Sequence, residues 1–241
     1  AYARKLRGIG ASAVPDSGPE LALIFEMGHA QLSTVLCSVE ASSSGVGASG
    51  SNGGTTNLTS PIVVRKLVSY QNIQLGSSAF DHELFHHFSE ECGAPSPSSK
   101  RALRLLAGCE KLRKLLSQVH DACVTVENAK EDGDATLKMN RTELKERGRD
   151  LLSAIAAQVR VTIAEGRADA IDIRRIELTG GGSRMQVVQD ALTEIFPSLS
   201  FGAKLDDSTL AVGAALLESE RLATATASTT TTPINDDGDG D

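Results

Sequence analysis

Between Ile171 and Arg184 the sequence IDIRRIELTGGGSR carries an apolar, β-branched run into three consecutive glycines, after which Ser183 and Arg184 open an amphipathic helix. Glycine has no Cβ, so a backbone can approach a ligand closely there, and the unpaired N–H groups of a first helical turn attract an anion. The chemistry this spells is contact with a phosphate or a nucleotide. The spacing departs from Gly-x-Gly-x-x-Gly, so a dinucleotide-binding fingerprint is not supported. A tight strand-to-helix turn with no ligand has the same spelling, and other segments have to decide between the two.

Weaker constellations are read as structure. His82, His86, His87 and Cys92 are close in sequence, and His82 and His86 stand four apart on a helix, but no second spaced cluster accompanies them and His87 points to another face. They are taken as surface histidines, with no metal. The carboxylate pair Asp206-Asp207 reads as a helix cap plus one ligand, and no Ser, His and Asp grouping forms a recognisable triad.

Composition bounds the function classes. With 241 residues and 40% hydrophobic content the chain can bury a core, and with no tryptophan and 3% aromatics that core is built from Leu, Val, Ile and Ala. A net charge of −7 without a basic stripe argues against a nucleic-acid surface. The four cysteines are widely spaced without Cys-x-x-Cys, which suits a reducing, cytoplasmic setting. No apolar run is long enough to cross a bilayer, and the start AYARKLRG has neither an initiator Met nor a signal-peptide pattern, so the chain is expected to begin inside a longer protein.

The elements that must carry these residues follow from periodicity. Leu21 to Phe25 and Leu32 to Val39, separated at Gly28, predict a β-hairpin. Residues 41–60 are almost wholly Ser, Gly, Thr and Asn and predict a flexible loop insertion, after which Ile62 to Tyr70 returns to strand. Phe80, Leu84, Phe85 and Phe88 share a helical face that should stop at Gly93. Ser98 or Ser99 caps the next helix, marked by Leu103, Leu106, Leu112 and Leu116. Val124 and Val126 pair as strands with Leu137 and Met139, and the capping box of Asn140 and Glu143 starts one long helix through Leu144, Leu151, Ile155 and Val159. Val188, Leu192 and Ile195 continue a helix after the glycine turn, and Asp206 or Asp207 caps a small-residue helix through Val212, Gly213 and Ala214. From Ala223 the Ala/Thr tract and NDDGDGD predict a disordered tail or linker.

Five strings occur in an order that resembles the second lobe of the actin-like ATPase domain of the heat shock protein 70 superfamily. They are FEMGHAQ at Phe25 to Gln31, QLGSSAFD at Gln74 to Asp81, KRALRLLAGCEKLRKLLS at Lys100 to Ser117, LTGGGSR at Leu178 to Arg184 and DDSTLAVGAA at Asp206 to Ala215. Met27-Gly28-His29, CEKLRKLLS and KMNRTEL resemble the larger heat shock protein 110 class more than the common chaperone. The resemblance implies an α/β lobe of ribonuclease H-like fold over residues 1–222, with a mixed sheet flanked by helices and a smaller α+β subdomain inserted at about 76–150.

It also implies a site for ATP or ADP, with magnesium, in a cleft shared with another lobe. Glu110 and Arg113 would meet the ribose hydroxyls, Lys114 and Arg184 would flank the adenine, and Ser117 would hydrogen-bond its edge. Those residues of Lys100 to Ser117 stand at i, i+3, i+4 and i+7, which puts them on one helix face; without the surrounding strings that face would read as solvated ion pairs. Gly180, Gly181 and Gly182 would let the backbone pass beneath the nucleotide, and Asp207 would join the metal and phosphate network. The family's phosphate-gripping Gly-Gly-Gly-Thr is Gly28-His29-Ala30-Gln31 here, and a second glycine pair is Gly76-Ser77. Adenosine contacts therefore carry over further than switching on the γ-phosphate. The first phosphate loop and a catalytic lysine belong to the other lobe, so this chain alone is not expected to hydrolyse ATP. The implied partners are a heat-shock 70-type chaperone, through nucleotide exchange, and unfolded client proteins. The rival readings are an interaction or scaffold lobe without nucleotide and a small-molecule kinase of the actin-like fold.

Overall fold

The computed structural model describes residues 19–41 and 62–202, with separate residues between 205 and 222. The Ser/Gly-rich insertion, Asp206, Asp207 and the C-terminal stretch from Ala223 lie outside the described residues, and with them the expected loop, cap, acidic ligand and tail.

Strands β1 (Glu20–Met27) and β2 (Leu32–Ala41) form the expected antiparallel hairpin, with register running from Glu20↔Val39 to Met27↔Leu32. Strand β3 (Ile62–Asn72) pairs antiparallel with β2, and Ala41 and Ile62 are register partners, so the Ser/Gly segment joins two strand ends that already face each other. On the other side of β1 lie two parallel strands, β6 (Ile173–Thr179) and then β7 (Phe201–Gly202), giving the order β3-β2-β1-β6-β7. Central strand β1 buries Leu23, Phe25 and Met27 completely, the period-2 spacing that puts one set of side chains into the core.

Residues between β3 and the last helices build a second layer. Helices α1 (Ser77–Glu91) and α2 (Lys100–Leu116) pack on each other, and α2 also packs on a two-stranded antiparallel sheet of β4 (Asp121–Val126) and β5 (Ala135–Asn140). Strict alternation buries Ala122, Val124 and Val126 opposite Met139, Leu137 and Ala135. Ser99 caps α2 by accepting a hydrogen bond from the Ala102 N–H at 3.1 Å. The apolar side chains of this layer and of the main sheet belong to one continuous core.

The capping box of Asn140 and Glu143 forms, with both hydrogen bonds at 2.9 Å. The helix it starts is not the single long one expected: α3 (Arg141–Arg147) ends at Gly148 and α4 (Arg149–Glu165) follows. A Cβ at Gly148 would come within 2.6 Å of the Phe80 ring, so packing against α1 places a glycine, and with it the break, at this position. Helix α4 packs over β2 and β3, fastened by a buried polar chain. Gln158 Nε2 donates to Thr34 Oγ1 at 3.2 Å, and the Thr162 hydroxyl donates to the Gln158 carbonyl at 2.8 Å. That leaves Thr34 as donor in its 2.7 Å bond to Thr162. Helix α5 (Gln186–Ile195) packs on α4 and on the glycine turn.

Candidate functional site

Helix α2 owes its position to one apolar face, Leu105, Cys109, Leu112 and Leu116, all at most 1% exposed. The opposite side is left with Glu110, Lys114 and Ser117. Lys114 Nζ lies 2.7 Å from Glu110 Oε1, an i, i+4 ion pair with side chains 64% and 38% exposed. The Lys114 ammonium, helped by Arg113 and His29, holds the Glu110 carboxyl below the usual glutamate range against the opposing effect of partial burial. Ser117 turns its hydroxyl back to the Arg113 carbonyl at 3.1 Å.

Arg113 differs from its neighbours. Its guanidinium is buried against Asp81 of α1, with Nε to Oδ1 at 2.6 Å and Nη2 to Oδ2 at 3.1 Å. Two of its donor positions are committed to this bidentate pair, so the ribose contact implied by the resemblance is left to what remains of the fork. The principal role of Arg113 in the fold is to tie α2 to α1.

A second wall comes from the hairpin turn between β1 and β2. Gly28 N donates to Gln31 O at 2.9 Å, closing the turn, and the carbonyls of Gly28 and His29 accept from Ser77 N and Ser78 N at 3.0 and 2.8 Å. The first N–H groups of α1 are thus capped by a loop of the same chain. A Cβ at Gly76 would lie 2.1 Å from the His29 carbonyl oxygen, which explains why a glycine precedes this helix.

The glycine turn supplies the third wall and corrects the expectation for it. Ser183 and Arg184 do not open the helix: they complete a 3-10 turn over Gly181–Arg184, and α5 begins only after Met185. Ser183 Oγ donates to the Gly180 carbonyl at 2.7 Å and Gln189 Nε2 donates to Ser183 O at 3.0 Å, so the turn is held from both ends. Gly180 has φ +81°, and a Cβ there would sit 2.4 Å from the Met27 carbonyl oxygen. Its glycine is demanded by the chain's own packing against β1. A Cβ at Gly181 would meet nothing within 4 Å, because that residue faces open space.

The three walls enclose a hollow of about 580 Å³. Helix α2 contributes Glu110, Arg113, Lys114 and Ser117, the turn contributes Gly181, Gly182 and Arg184, and the hairpin contributes His29. Gly28 and Gly180 do not line it; they support the loops that do. Two lining residues, Ser77 and Gln118, are not among the site residues expected from the sequence. Gln118 extends the α2 face by one residue, a signal that was present. Ser77 arrives from α1 through a tertiary approach that spacing does not encode. The volume suits a nucleoside-sized ligand. Another hollow, of about 420 Å³, lies where α3, α4 and α5 meet, with Arg149 and Arg160 among its lining residues; none of the sequence-predicted site residues reaches it.

His82 and His86 are exposed while Cys92 is buried, so that group does not converge. Among the described residues no three His, Cys, Asp or Glu side chains are grouped as a metal site. No described helix is long and apolar enough to cross a membrane.

Residues 66–224, more than half of the chain, match the family model described as Hsp70 protein. The chain belongs to the Hsp70 family. Its relatives place it with the heat shock protein 110 class of that superfamily. It is 31% identical over 128 residues to Heat shock 70 kDa protein 4 of Homo sapiens, covering 51% of this chain and 15% of that protein. It is 25% identical over 207 residues to a heat shock protein homolog of Naumovozyma castellii, covering 84% of this chain and 27% of that protein. Heat shock protein 88 of Dictyostelium discoideum is 28% identical over 137 residues, 55% of this chain and 18% of that protein. The Hsp70-family chain therefore spans about a quarter or less of the length of these relatives. Its mixed sheet with packed helices is an α/β lobe of the chaperone-type, actin-like ATPase fold.

Proposed function

We propose that this Hsp70-family lobe seats the adenosine part of ATP or ADP in the hollow between α2 and the glycine turn, as one half of a two-lobed nucleotide site. The observation that carries the reading is the convergence of Glu110, Lys114, Ser117, Gly181 and Arg184 on one cavity, although they come from segments some seventy residues apart. Glu110 is charged, and a carboxylate accepts from the vicinal hydroxyls of ribose. Lys114 and Arg184 present cations suited to the face of a purine. Ser117 Oγ spends its proton on the Arg113 carbonyl and meets a ligand as an acceptor, which matches the donor amino group of adenine and not the carbonyl oxygen of guanine.

Magnesium and the phosphates would lie toward His29, where the other lobe completes the site; Asp207, the implied acidic ligand, is outside the described residues. The span from α1 to α3, with its own two-stranded sheet, is read as the inserted subdomain at about 76–150. At the level of the whole protein the reading is a chaperone that assists folding in the cytoplasm, with nucleotide exchange on a common heat-shock chaperone as its partner activity. The turn Gly28-His29-Ala30-Gln31, with no threonine hydroxyl and with His29 and Ala30 restricting the backbone, favours that role over rapid hydrolysis.

The test is thermal unfolding of the full-length protein with and without ADP. Ligand at one hundred times its Kd adds about 2.7 kcal/mol, and Glu110→Ala or Arg184→Ala should reduce the shift. No ADP effect would favour a scaffold lobe that has lost its ligand. Release of labelled nucleotide from a common heat-shock chaperone, with and without the protein, tests exchange separately, and an unchanged rate removes that activity.

A further inference from the structure

Gln118 lines the hollow but stands one residue beyond Lys100 to Ser117, the string that carries the resemblance, and the nucleoside contacts proposed above do not use it. Its backbone is fixed from two sides. Gln118 N and Val119 N both donate to the Leu115 carbonyl, at 2.8 and 2.9 Å, which carries the chain around the C-terminal end of α2. From α3, Arg141 Nε donates to Leu116 O at 2.9 Å, its Nη2 to Val119 O at 3.1 Å and its backbone N to His120 O at 2.8 Å. The carbonyls at a helix end lack partners within the helix, and Arg141 satisfies them on either side of Gln118. The Gln118 side chain itself is exposed, and among the described residues its amide makes no hydrogen bond. A fixed backbone therefore holds out a free donor and a free acceptor at the spacing of one primary amide.

The place of Gln118 along α2 says which part of a nucleoside it meets. It follows Glu110 in the chain by about 12 Å of helical rise. A nucleoside whose ribose lies at Glu110 therefore brings the far end of its base to Ser117 and Gln118. In adenine that end is the amino group at C6, with N1 on one side and N7 on the other, so each side offers one N–H beside one ring-nitrogen acceptor. Ser117 Oγ, its proton spent on the Arg113 carbonyl, accepts one of the two N–H groups. A primary amide complements the other side, accepting the second N–H through Oε1 and donating to the ring nitrogen through Nε2, the pairing by which glutamine reads adenine in nucleic acids. Resting on the nucleotide reading above, we infer that Gln118 is a specificity-determining residue of the seat, which reads the adenine amino group together with one neighbouring ring nitrogen. Arg141 is its positioning residue, because it holds the turn from which the amide projects.

The experiment is isothermal titration of the full-length protein, wild type and Gln118→Met, with ADP and with nucleotides that differ from it by one group. Purine riboside diphosphate lacks the amino group, and the 1-deaza and 7-deaza forms of ADP each lack one ring nitrogen. The side chain is exposed and takes no part in the bonds that hold the turn, so Tm should be the same in both proteins. Gln118→Met should weaken ADP by about two- to tenfold, the size of a hydrogen bond exchanged against water, and purine riboside diphosphate by less than about twofold. One deaza nucleotide should share the loss and the other escape it, which names the ring nitrogen. A loss shared by both would overturn the ring-nitrogen contact. Equal weakening of ADP and purine riboside diphosphate, or no weakening of ADP, would overturn the role of Gln118 while leaving the nucleoside seat in place. Failure of the wild type to bind any of the four nucleotides would overturn the seat and the reading of its base together.

Discussion

Replacing Asp81 separates a structural from a ligand-binding role for Arg113. The two side chains are 3% and 5% exposed and meet in a bidentate pair of 2.6 and 3.1 Å. Asp81→Ala leaves the guanidinium buried without its counter-charge, a change that costs about 3–5 kcal/mol, whereas exchanging both partners for apolar groups of similar volume is often close to neutral. For a domain of this size about 1 kcal/mol corresponds to ~2–4 °C in Tm, so the single variant should unfold on the order of 10 °C lower. The double variant Asp81→Leu/Arg113→Met should recover most of that loss. By contrast Glu110→Ala, which breaks a pair whose lysine is 64% exposed, should cost under about 1 kcal/mol. Scanning calorimetry of the full-length protein reads all of these, and ADP titration of the double variant completes the design. If Asp81→Ala unfolds within about 1 °C of wild type, or if the double variant is stable yet loses adenosine affinity a hundredfold, Arg113 serves the ligand first and the tie between α1 and α2 is secondary.

Gly180→Ala should destabilise by more than about 1 kcal/mol in chemical unfolding, because φ is +81° and a Cβ would meet the Met27 carbonyl oxygen at 2.4 Å, whereas Gly181→Ala, open to the hollow, should leave stability nearly unchanged and alter only ligand affinity. Glu110 is held below the usual carboxylate range, so the stability it contributes is complete above the pKa of an unfolded glutamate and is lost as pH falls through the lower folded value; its carboxyl carbon, followed by NMR, should titrate at higher pH in Lys114→Met. Burial pushes the Cys37 and Cys109 thiols up to about 11 and about 12, and Cys92 is also raised, so a thiol reagent at neutral pH should modify only exposed Cys123 in the folded protein and all four cysteines after unfolding. Ser117→Ala should narrow the preference for ADP over GDP, measured by competition.

Local signals carried much of the architecture. The apolar runs of β1 and β2, the alternation of Val124 and Val126 in β4, the serine cap of α2 and the Asn140–Glu143 box all act within a few residues, and each formed as spelled. What eluded the sequence depends on distant partners. The break at Gly148 is set by the Phe80 ring, and the 3-10 turn at Gly181–Arg184 by the Met27 end of β1. The helical wall of the hollow was legible as a helix face, but an i, i+3, i+4, i+7 set spans about 100° of arc, and Arg113 lies on the edge nearest α1. Asp81 carried the missing clue: it shares the buried face of α1 with Leu84 and Phe88, where a carboxylate requires a partner. Ser77 lines the hollow only because the hairpin turn caps its helix.

The central claim is that α2 and the glycine turn hold opposite sides of one purine nucleoside. Photolabelling of the full-length protein with 8-azido-ADP, followed by peptide mapping, tests it directly. The label should be recovered on peptides containing residues 110–118 and 180–184, with an excess of unlabelled ADP suppressing both. Recovery elsewhere on the lobe, or labelling of only one of these segments and insensitivity to competing ADP, would contradict it.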